Sequence, residues 1–518
     1  MKFSQYSLII GVCGPGLLAC GNSSDPSQVS GSGGTAAAIG GVGGGSATGG
    51  SPAGSGSSGT SDLLLPPDLG GSSGMDPTCD AGVCACASSN TTTIEGFVYD
   101  PAGKNPLYNV SVYVPDPSSP LPDLDNVPLG CGCSQLYPAK VLAVGNPSDA
   151  TGHFVIPCAP SGTVSLVVQT GKWRMRYDGI AVTANQSNMA PKLRLPANSS
   201  EGSLPNIAIS TGGSDSLECL PLRIGVAASE YALGSATGGH IHIYTGFHGA
   251  TMEQGSAASY QTLWDQQAHL NEHDVMLLSC EGQETTGGTP GMPLNSTAQT
   301  YLMNYANAGG RVFASHFQYA WFNTGPFGSG ANQLATWNVG MQQINDRQAI
   351  TADIVTTLPG GAPFPEGSAL QQWLNLVGAT TANQLPIWFA RTNVKALAQP
   401  PSTEWIHIDA NAPQAASSTQ YFSADTPIGA APGAVCGRVV YSDVHVSGGP
   451  GTNAPGVAAD YPNSPPATFG GGQGGIVPSE CATHALTPQE AALEFMLFDL
   501  SSCLVPIGQT VMPPPVVK

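Results

Sequence analysis

Asp274–Cys280 (D-V-M-L-L-S-C) restricts the fold more than any other segment. A strand turns successive side chains to opposite faces, so its unbroken apolar run has to be covered on both. Comparable short strands are expected at Leu222–Ala227, His240–Tyr244, Arg311–Ser315 and Gly437–Val446. Between them lie helical stretches. Thr262–His269 reads as a helix, and Ser296 and Thr297 can cap another that runs to Ala308, with Gly309 at its C′ position. A last helix opens Thr487-Pro488-Gln489-Glu490, a capping box with proline at N1, and Leu493, Met496, Leu497 and Leu500 give it one apolar face. Strands alternating with helices predict an α/β, doubly wound, mostly parallel sheet over residues 213–505.

Upstream, residues 91–212 have another texture. Ile94–Tyr99 leads into the turn Asp100-Pro101-Ala102-Gly103, Val110, Val112 and Val114 alternate with Asn109, Ser111 and Tyr113, and Asp149-Ala150-Thr151-Gly152 precedes Phe154-Val155-Ile156. With Val164–Val168 these are short strands between turns, so an all-β sandwich is expected, its alternating strand half buried. Lys172-Trp173-Arg174-Met175-Arg176 is either a contact patch or a solvated strand with one packed aromatic.

The N-terminus carries an address. Lys2 and a short apolar stretch (Leu8-Ile9-Ile10-Gly11-Val12) lead to Leu17-Leu18-Ala19-Cys20, the order of a secretory signal peptide over residues 1–20. The last four residues resemble a bacterial lipobox, which implies a lipidated Cys20 and stable anchoring by several acyl chains. Gly21, where aspartate would resemble an inner-membrane retention signal, points to the outer membrane or cell surface of a Gram-negative bacterium. Gly21–Thr60 holds 14 glycines and one charge, Asp25, too little apolar surface to offset chain entropy. Residues 21–90 are therefore expected to be a flexible tether ending in a cysteine cluster, and residues 506–518 a disordered tail. No stretch reaches the roughly 18 apolar residues of a membrane span. The net charge of −19 would repel a phosphate backbone, which excludes nucleic acid as a partner.

Of 13 cysteines, Cys13 leaves with the signal and Cys20 takes lipid. Eleven remain, and in an oxidising compartment most should pair, leaving at least one thiol over. The C-x-C spacings at Cys84/Cys86 and Cys131/Cys133 could be read as half of a zinc site, but export and the lack of a second well-spaced pair favour disulfides. The stretch Ser447–Pro478 reads either as a lid over the strand ends or as surface stapled between Cys436 and Cys481.

Two resemblances follow from quoted residues. "IEGFVYDPAGKNPLYNVSVYV … DATGHFVIPCAPSGTVSLVVQTG" resembles the carboxypeptidase regulatory-like family of small prealbumin-type sandwiches, which implies a stalk or binding module without catalysis. "DVMLLSCEG", "YLMNYANAGGRVFASHFQYAWF" and "GRVVYSDVHV" are similar to the ThuA-like (trehalose-utilisation) branch of the class I glutamine-amidotransferase-like, flavodoxin-type fold. In that branch the A-G-G-x-hydrophobic strand and the late G-R-V strand each end in a histidine, here His316 and His445. The glutaminase triad does not carry over, because no G-x-C-x-G elbow exists.

Open parallel sheets take ligands beyond the carboxyl ends of their strands. Those ends carry Cys280 and Glu281, Ser315 and His316, and Asp443 and His445. His316, His445, Cys280 and Glu281 are thus the candidate catalytic residues, a thiol and a carboxylate beside two possible bases. No cofactor is expected, because no glycine loop follows the first strand, and no metal ligand set is assigned. His240-Ile241-His242, with His248 nearby, has a spacing a metal could use but lacks a third defined ligand. His269-Leu270-Asn271-Glu272-His273 matches an inverted zincin string, yet Asn271–Asp274 should turn out of the helix and part the two imidazoles. The expected function is a lipid-anchored envelope protein whose α/β portion binds a small ligand, with carbohydrate the class that the ThuA-like resemblance implies. Tyr319, Trp321, Phe322 and Trp337 could then form sugar-stacking surfaces or pack in the core. The alternatives are an envelope hydrolase or isomerase, and a non-catalytic structural surface protein.

Overall fold

Turn chemistry builds the first portion of the chain. The structure, a computed structural model, describes residues 79–80, 83–84, 90–284, 294–340, 342, 349–388, 390–408, 418–446, 476–479, 481, 485–511 and 513. At Asp100–Gly103 the carboxylate accepts the Lys104 amide at 2.6 Å and Gly103 takes a φ of +67°. This closes the first strand, Thr93–Tyr99, back toward the body. That strand pairs with His153–Ile156, Ser187–Met189 and Leu193–Arg194 in a four-stranded sheet. A five-stranded sheet runs in the order Gly202–Ser203, Trp173–Val182, Gly162–Thr170, Ser111–Pro115, Val141–Val144. The two share a core in which Ile94, Val98, Phe154 and Ile156 of one join Val112, Val114, Leu166 and Val168 of the other.

Ser111–Pro115 departs from the half-buried strand its alternation predicts, since all five residues are buried. Its second face holds Tyr113, which packs with Tyr137, Val141, Val144 and Val167 and donates its hydroxyl to Gln169 Oε1 at 2.8 Å. The inserted segment that carries Cys131 and Cys133 supplies Tyr137, and so covers a face that would otherwise meet water.

The second portion is built on an eleven-stranded sheet. Its order is Tyr231–Leu233, Ile241–Thr245, Ile207–Thr211, Val275–Leu278, Arg311–Ser315, Gly437–Ser442, Thr419–Thr426, Ser402–Ile408, Ile350–Ile354, Gln384–Ile387, with Ala258–Ser259 also paired to Ile241–Thr245. The pairs up to Gly437–Ser442 are parallel and those beyond it antiparallel. The sheet is therefore mixed, with its parallel pairings in the majority and an antiparallel half that the sequence pattern does not predict. A central strand, Ile207–Thr211, lies before residue 212, so the sheet begins inside the stretch expected to be sandwich. Leu222–Ala227 is not a strand. Pro221 lacks the N–H a ladder needs but suits a first helical turn, and Leu220–Arg223 is a short helix. The helix expected over Thr262–His269 is two short ones, Gln261–Trp264 and Gln267–Asn271. Helix Ser296–Asn307 is capped by Asn295, one residue before the expected caps, whose side chain accepts the Ala298 amide at 2.8 Å. No helix among the described residues is long and apolar enough to cross a membrane.

Helix Pro488–Ser501 joins the two portions. Its capping box forms as its sequence predicts, but its burial is not one-sided: every residue from Gln489 to Ser501 is buried. Phe495 stacks on Tyr108 of the sandwich with ring centroids 5.7 Å apart, Phe498 meets Trp173 at the same separation, and Asn105 Nδ2 donates to Glu494 Oε2 at 2.6 Å. On its other flank Asp499 pairs with the buried Arg438 guanidinium at 2.9 Å. Six large apolar side chains buried here contribute on the order of 10 kcal/mol. Trp173 is thus the packed aromatic of the basic stretch, and Lys172 beside it pairs with Asp274 at 2.8 Å. Sandwich and sheet share one continuous core, so among the described residues they form one body rather than a stalk and a separate head. Disulfides Cys131–Cys436 and Cys133–Cys503 stitch the same junction, and Cys219–Cys481 closes a third bridge. Cys436 and Cys481 therefore do not bracket one stapled loop. Cys158 is also disulfide-bonded, and Cys280 is a free, buried thiol.

Candidate functional site

Three neighbouring strands place the site. Val275–Leu278, Arg311–Ser315 and Gly437–Ser442 run parallel, with Leu278 opposite Ala314 and Ser315 opposite Ser442, so their carboxyl ends finish side by side. The residues just past those ends are Cys280, His316 and His445. Cys280 Sγ lies 3.2 Å from His316 Nδ1, and His445 Nε2 lies 3.1 Å from the same nitrogen. All three ligand-type atoms fall within 4.8 Å of one another. The residues are 0%, 1% and 4% exposed. His316 sits at the turn from strand into the 3-10 helix His316–Trp321 with a φ of +43°, a left-handed conformation that costs a non-glycine residue about 1 kcal/mol. Such strain persists only where its surroundings enforce it.

Those surroundings can be named. The Tyr441 hydroxyl donates to the His316 carbonyl, 2.9 Å away, and lies 2.6 Å from Asp443 Oδ1. Asp443 Oδ2 accepts the Val394 amide at 3.0 Å. Asp215, also buried, accepts the Ser315 hydroxyl and the Val446 amide, and so pins the residue before His316 and the residue after His445. Asn393 gives its side-chain N–H groups to the carbonyls of Asn338 and Gly340, at 2.7 and 2.9 Å. Its Oδ1 is buried without a hydrogen-bond partner among the described residues. Asp215, Asn393 and Tyr441 were not legible as site residues. Asp215 and Asn393 sit in segments remote in sequence from the histidines, and Tyr441, although in the strand that leads to His445, gives no signal that its hydroxyl serves His316.

Burial sets the electrostatics. It pushes the Cys280 thiol up to about 12, against weaker opposition from the Phe317 and Gly282 amides. Burial, and after it the positive charge of Arg391, hold both imidazoles well below the usual histidine range, so His316 and His445 are neutral at pH 7. A protonated thiol is a poor nucleophile on its own. With His316 Nδ1 in hydrogen-bond reach, the cluster can pass a proton from sulfur to nitrogen, and the same three atoms could hold a metal ion.

Glu281 does not join them. Its carboxyl is 2% exposed, is pushed up to about 7 by burial, and engages the Phe247 backbone and the Gln318 side chain instead. The other histidines stay outside the cluster, His242 and His273 meeting each other with ring centroids 4.9 Å apart. His240 binds Glu230 at 2.7 Å, His242 Nδ1 donates to the Gly234 carbonyl at 2.8 Å, and the His248 ring stacks on Phe247. His269 pairs with Asp265 while His273 meets the Tyr244 hydroxyl, so the H-x-x-E-H string holds no shared point. Among the described residues, Cys280, His316 and His445 form the one group of three or more such side chains that converges. Tyr319, Trp321 and Phe322 are fully buried, with Trp321 edge-on to Trp264 at 5.0 Å. They are core, not exposed sugar platforms. Cys20, the signal, nearly all of the tether and most of Ser447–Pro478 lie outside the described residues.

Neither a family model nor a curated protein matches this chain. Solved structures similar to it include a cytoplasmic protein of Salmonella typhimurium, at 11% identity and TM-score 0.26 over 47% of this chain and 89% of that one. A ThuA-like protein of Bacteroides uniformis is similar at 8% identity and TM-score 0.25, over 46% of this chain and 80% of that one. A type II cohesin–X-dockerin complex of Acetivibrio cellulolyticus is similar at 12% identity and TM-score 0.16, over 29% and 88% respectively.

Proposed function

We propose that this chain is an exported envelope protein, held to a membrane through an acylated Cys20, that receives a small polar ligand at the strand ends bearing Cys280, His316 and His445. What carries this reading is the convergence of a thiol and two imidazoles, from three separate parallel strands, on one point. It is the place where open α/β sheets take ligands. Burying polar side chains costs stability unless they are fully satisfied, and His316 Nε2 and Glu281 Oε1 lack close hydrogen-bond partners. We read the first portion as a prealbumin-type sandwich and the second as flavodoxin-like. The ThuA-like texture of the strand-end segments makes carbohydrate the first ligand class to try. Thermal-shift titration of the mature chain against a panel of mono- and disaccharides tests it. A saturable rise in Tm that H316A and H445A abolish is the expected result. No shift with any sugar, or shifts that both variants retain, would remove carbohydrate from the account.

A second reading, a hydrolase or isomerase, is favoured by one observation. The left-handed His316 presents its ring from a strand-to-helix turn with a thiol 3.2 Å away, an arrangement suited to general acid–base work. Turnover lost in H316A but kept in E281Q would support it.

A further inference from the structure

We propose that Cys280, His316 and His445 are the three protein ligands of a zinc-class divalent metal ion whose fourth position is left open. The proposal rests on the strand-end cluster being the functional centre, and it names what sits at its base.

Distance is the first support. With metal–nitrogen bonds of about 2.0–2.1 Å and a metal–sulfur bond of about 2.3 Å, tetrahedral ligand atoms stand about 3.3–3.6 Å apart. Here two edges measure 3.1 and 3.2 Å and every pair lies within 4.8 Å, so an ion enters with shifts of tenths of an ångström along the measured edges.

The lone pairs are the second. His316 Nδ1 lies within 3.2 Å of both the Cys280 thiol and His445 Nε2, while His316 Nε2 has no hydrogen-bond partner among the described residues. With the thiol as donor, the His316 lone pair is on Nδ1, the nitrogen that faces both Cys280 and His445. Without an ion this nitrogen is over-subscribed. One lone pair cannot accept from the thiol and from His445 at once, whereas a metal gives all three donor atoms a common acceptor.

Burial is the third. Side chains 0–4% exposed let an organic ligand reach the rim of the cluster, whereas an ion fits among all three donor atoms. The donor set selects the metal: a soft thiolate with two imidazoles suits zinc, cobalt or copper and not magnesium or calcium. Among the described residues no fourth histidine, cysteine or carboxylate joins the group, the pattern of a site that keeps one position for water or a ligand. Cys280 would bind as thiolate, its proton passing to solvent as the metal–sulfur bond forms.

The test is a titration of the full mature chain, stripped with chelator, with Co(II) and then Zn(II), followed by absorbance and elemental analysis. One equivalent should bind, with a sulfur-to-cobalt charge-transfer band that zinc displaces. C280S should lose that band, and H316A and H445A should bind at least tenfold more weakly. C280S is nearly isosteric and, with Tm measured for each variant, keeps the outcome readable if a histidine variant fails to fold. No saturable binding, a cobalt spectrum indifferent to C280S, or equal uptake of magnesium would overturn the proposal. A failed sugar panel with intact metal binding would sink the carbohydrate reading alone, and a sugar-induced Tm rise in chain that binds no metal would sink this one alone.

Discussion

Replacing Glu281 with glutamine tests how the strand end is balanced. The carboxyl is pushed from its ordinary 4.5 up to about 7, chiefly by burial, while hydrogen bonds from the Phe247 backbone and Gln318 pull the other way. Between those two values the native chain keeps a proton that the unfolded chain has already released. Stability contributed by the group is therefore fully present below pH 4.5 and is lost as pH rises through about 7. A gap of that width corresponds to about 3 kcal/mol. Glutamine is neutral throughout and close in shape, so it removes this slope. The assay is guanidinium unfolding of both proteins, followed by tryptophan fluorescence, in steps from pH 4 to pH 8. Asp443 and Glu366 are also raised by burial, to about 6 and about 7, but they tilt both curves alike and cancel in the difference. E281Q should gain on the wild type by about 3 kcal/mol between pH 4 and pH 8. Parallel curves, or a gain confined to acid, would refute the reasoning.

Other consequences follow from the same contacts. With Cys131–Cys436 in place, Cys133–Cys503 closes a residual loop of about 70 residues, so the C133S/C503S double variant should lose about 4 kcal/mol in denaturant unfolding; a loss below about 1 kcal/mol would contradict the junction. Because His316 has a φ of +43°, H316G should be more stable than H316A by about 1 kcal/mol, the reverse of the usual order, as Tm and unfolding free energy would show. Cys280, fully buried with its thiol raised to about 12, should resist alkylation in the folded, metal-free chain and react fully after denaturation. Mass spectrometry that finds Cys280 in a disulfide, or fast to react, would oppose that view.

Local patterns proved readable where one face or one turn decided the outcome. Val275–Leu278 and Arg311–Ser315 are central parallel strands as their apolar runs require, and the Thr487–Glu490 box caps its helix. Patterns failed where a distant segment covered a second face. Tyr113 alternates as a solvent-facing residue should, yet the insertion packs over it. Glu494 and Asp499 read as the polar side of an amphipathic helix, yet they are buried between sandwich and sheet, facing Asn105 and Arg438. The antiparallel half of the sheet has short strands with no feature that names their direction. Strand-end position was enough to point to Cys280, His316 and His445, while Glu281, next in sequence to Cys280, engages other groups. The supporting residues Asp215 and Asn393 reach the site from segments remote from the histidines, and only the folded chain brings them there, while Tyr441 shares the segment of His445 but turns its hydroxyl to the His316 carbonyl.

The central claim is that the cluster is preformed, with a neutral His316 whose Nδ1 lone pair faces Cys280 and His445. Long-range proton–nitrogen correlation NMR of the histidine rings in the chelated chain, assigned with H316A and H445A, reads this directly. The account predicts both rings neutral at pH 7 and still neutral at 6.5, where an ordinary histidine is half protonated, with the His316 proton on Nε2. A proton on His316 Nδ1, or an ordinary titration near 6.5 at either ring, would contradict it.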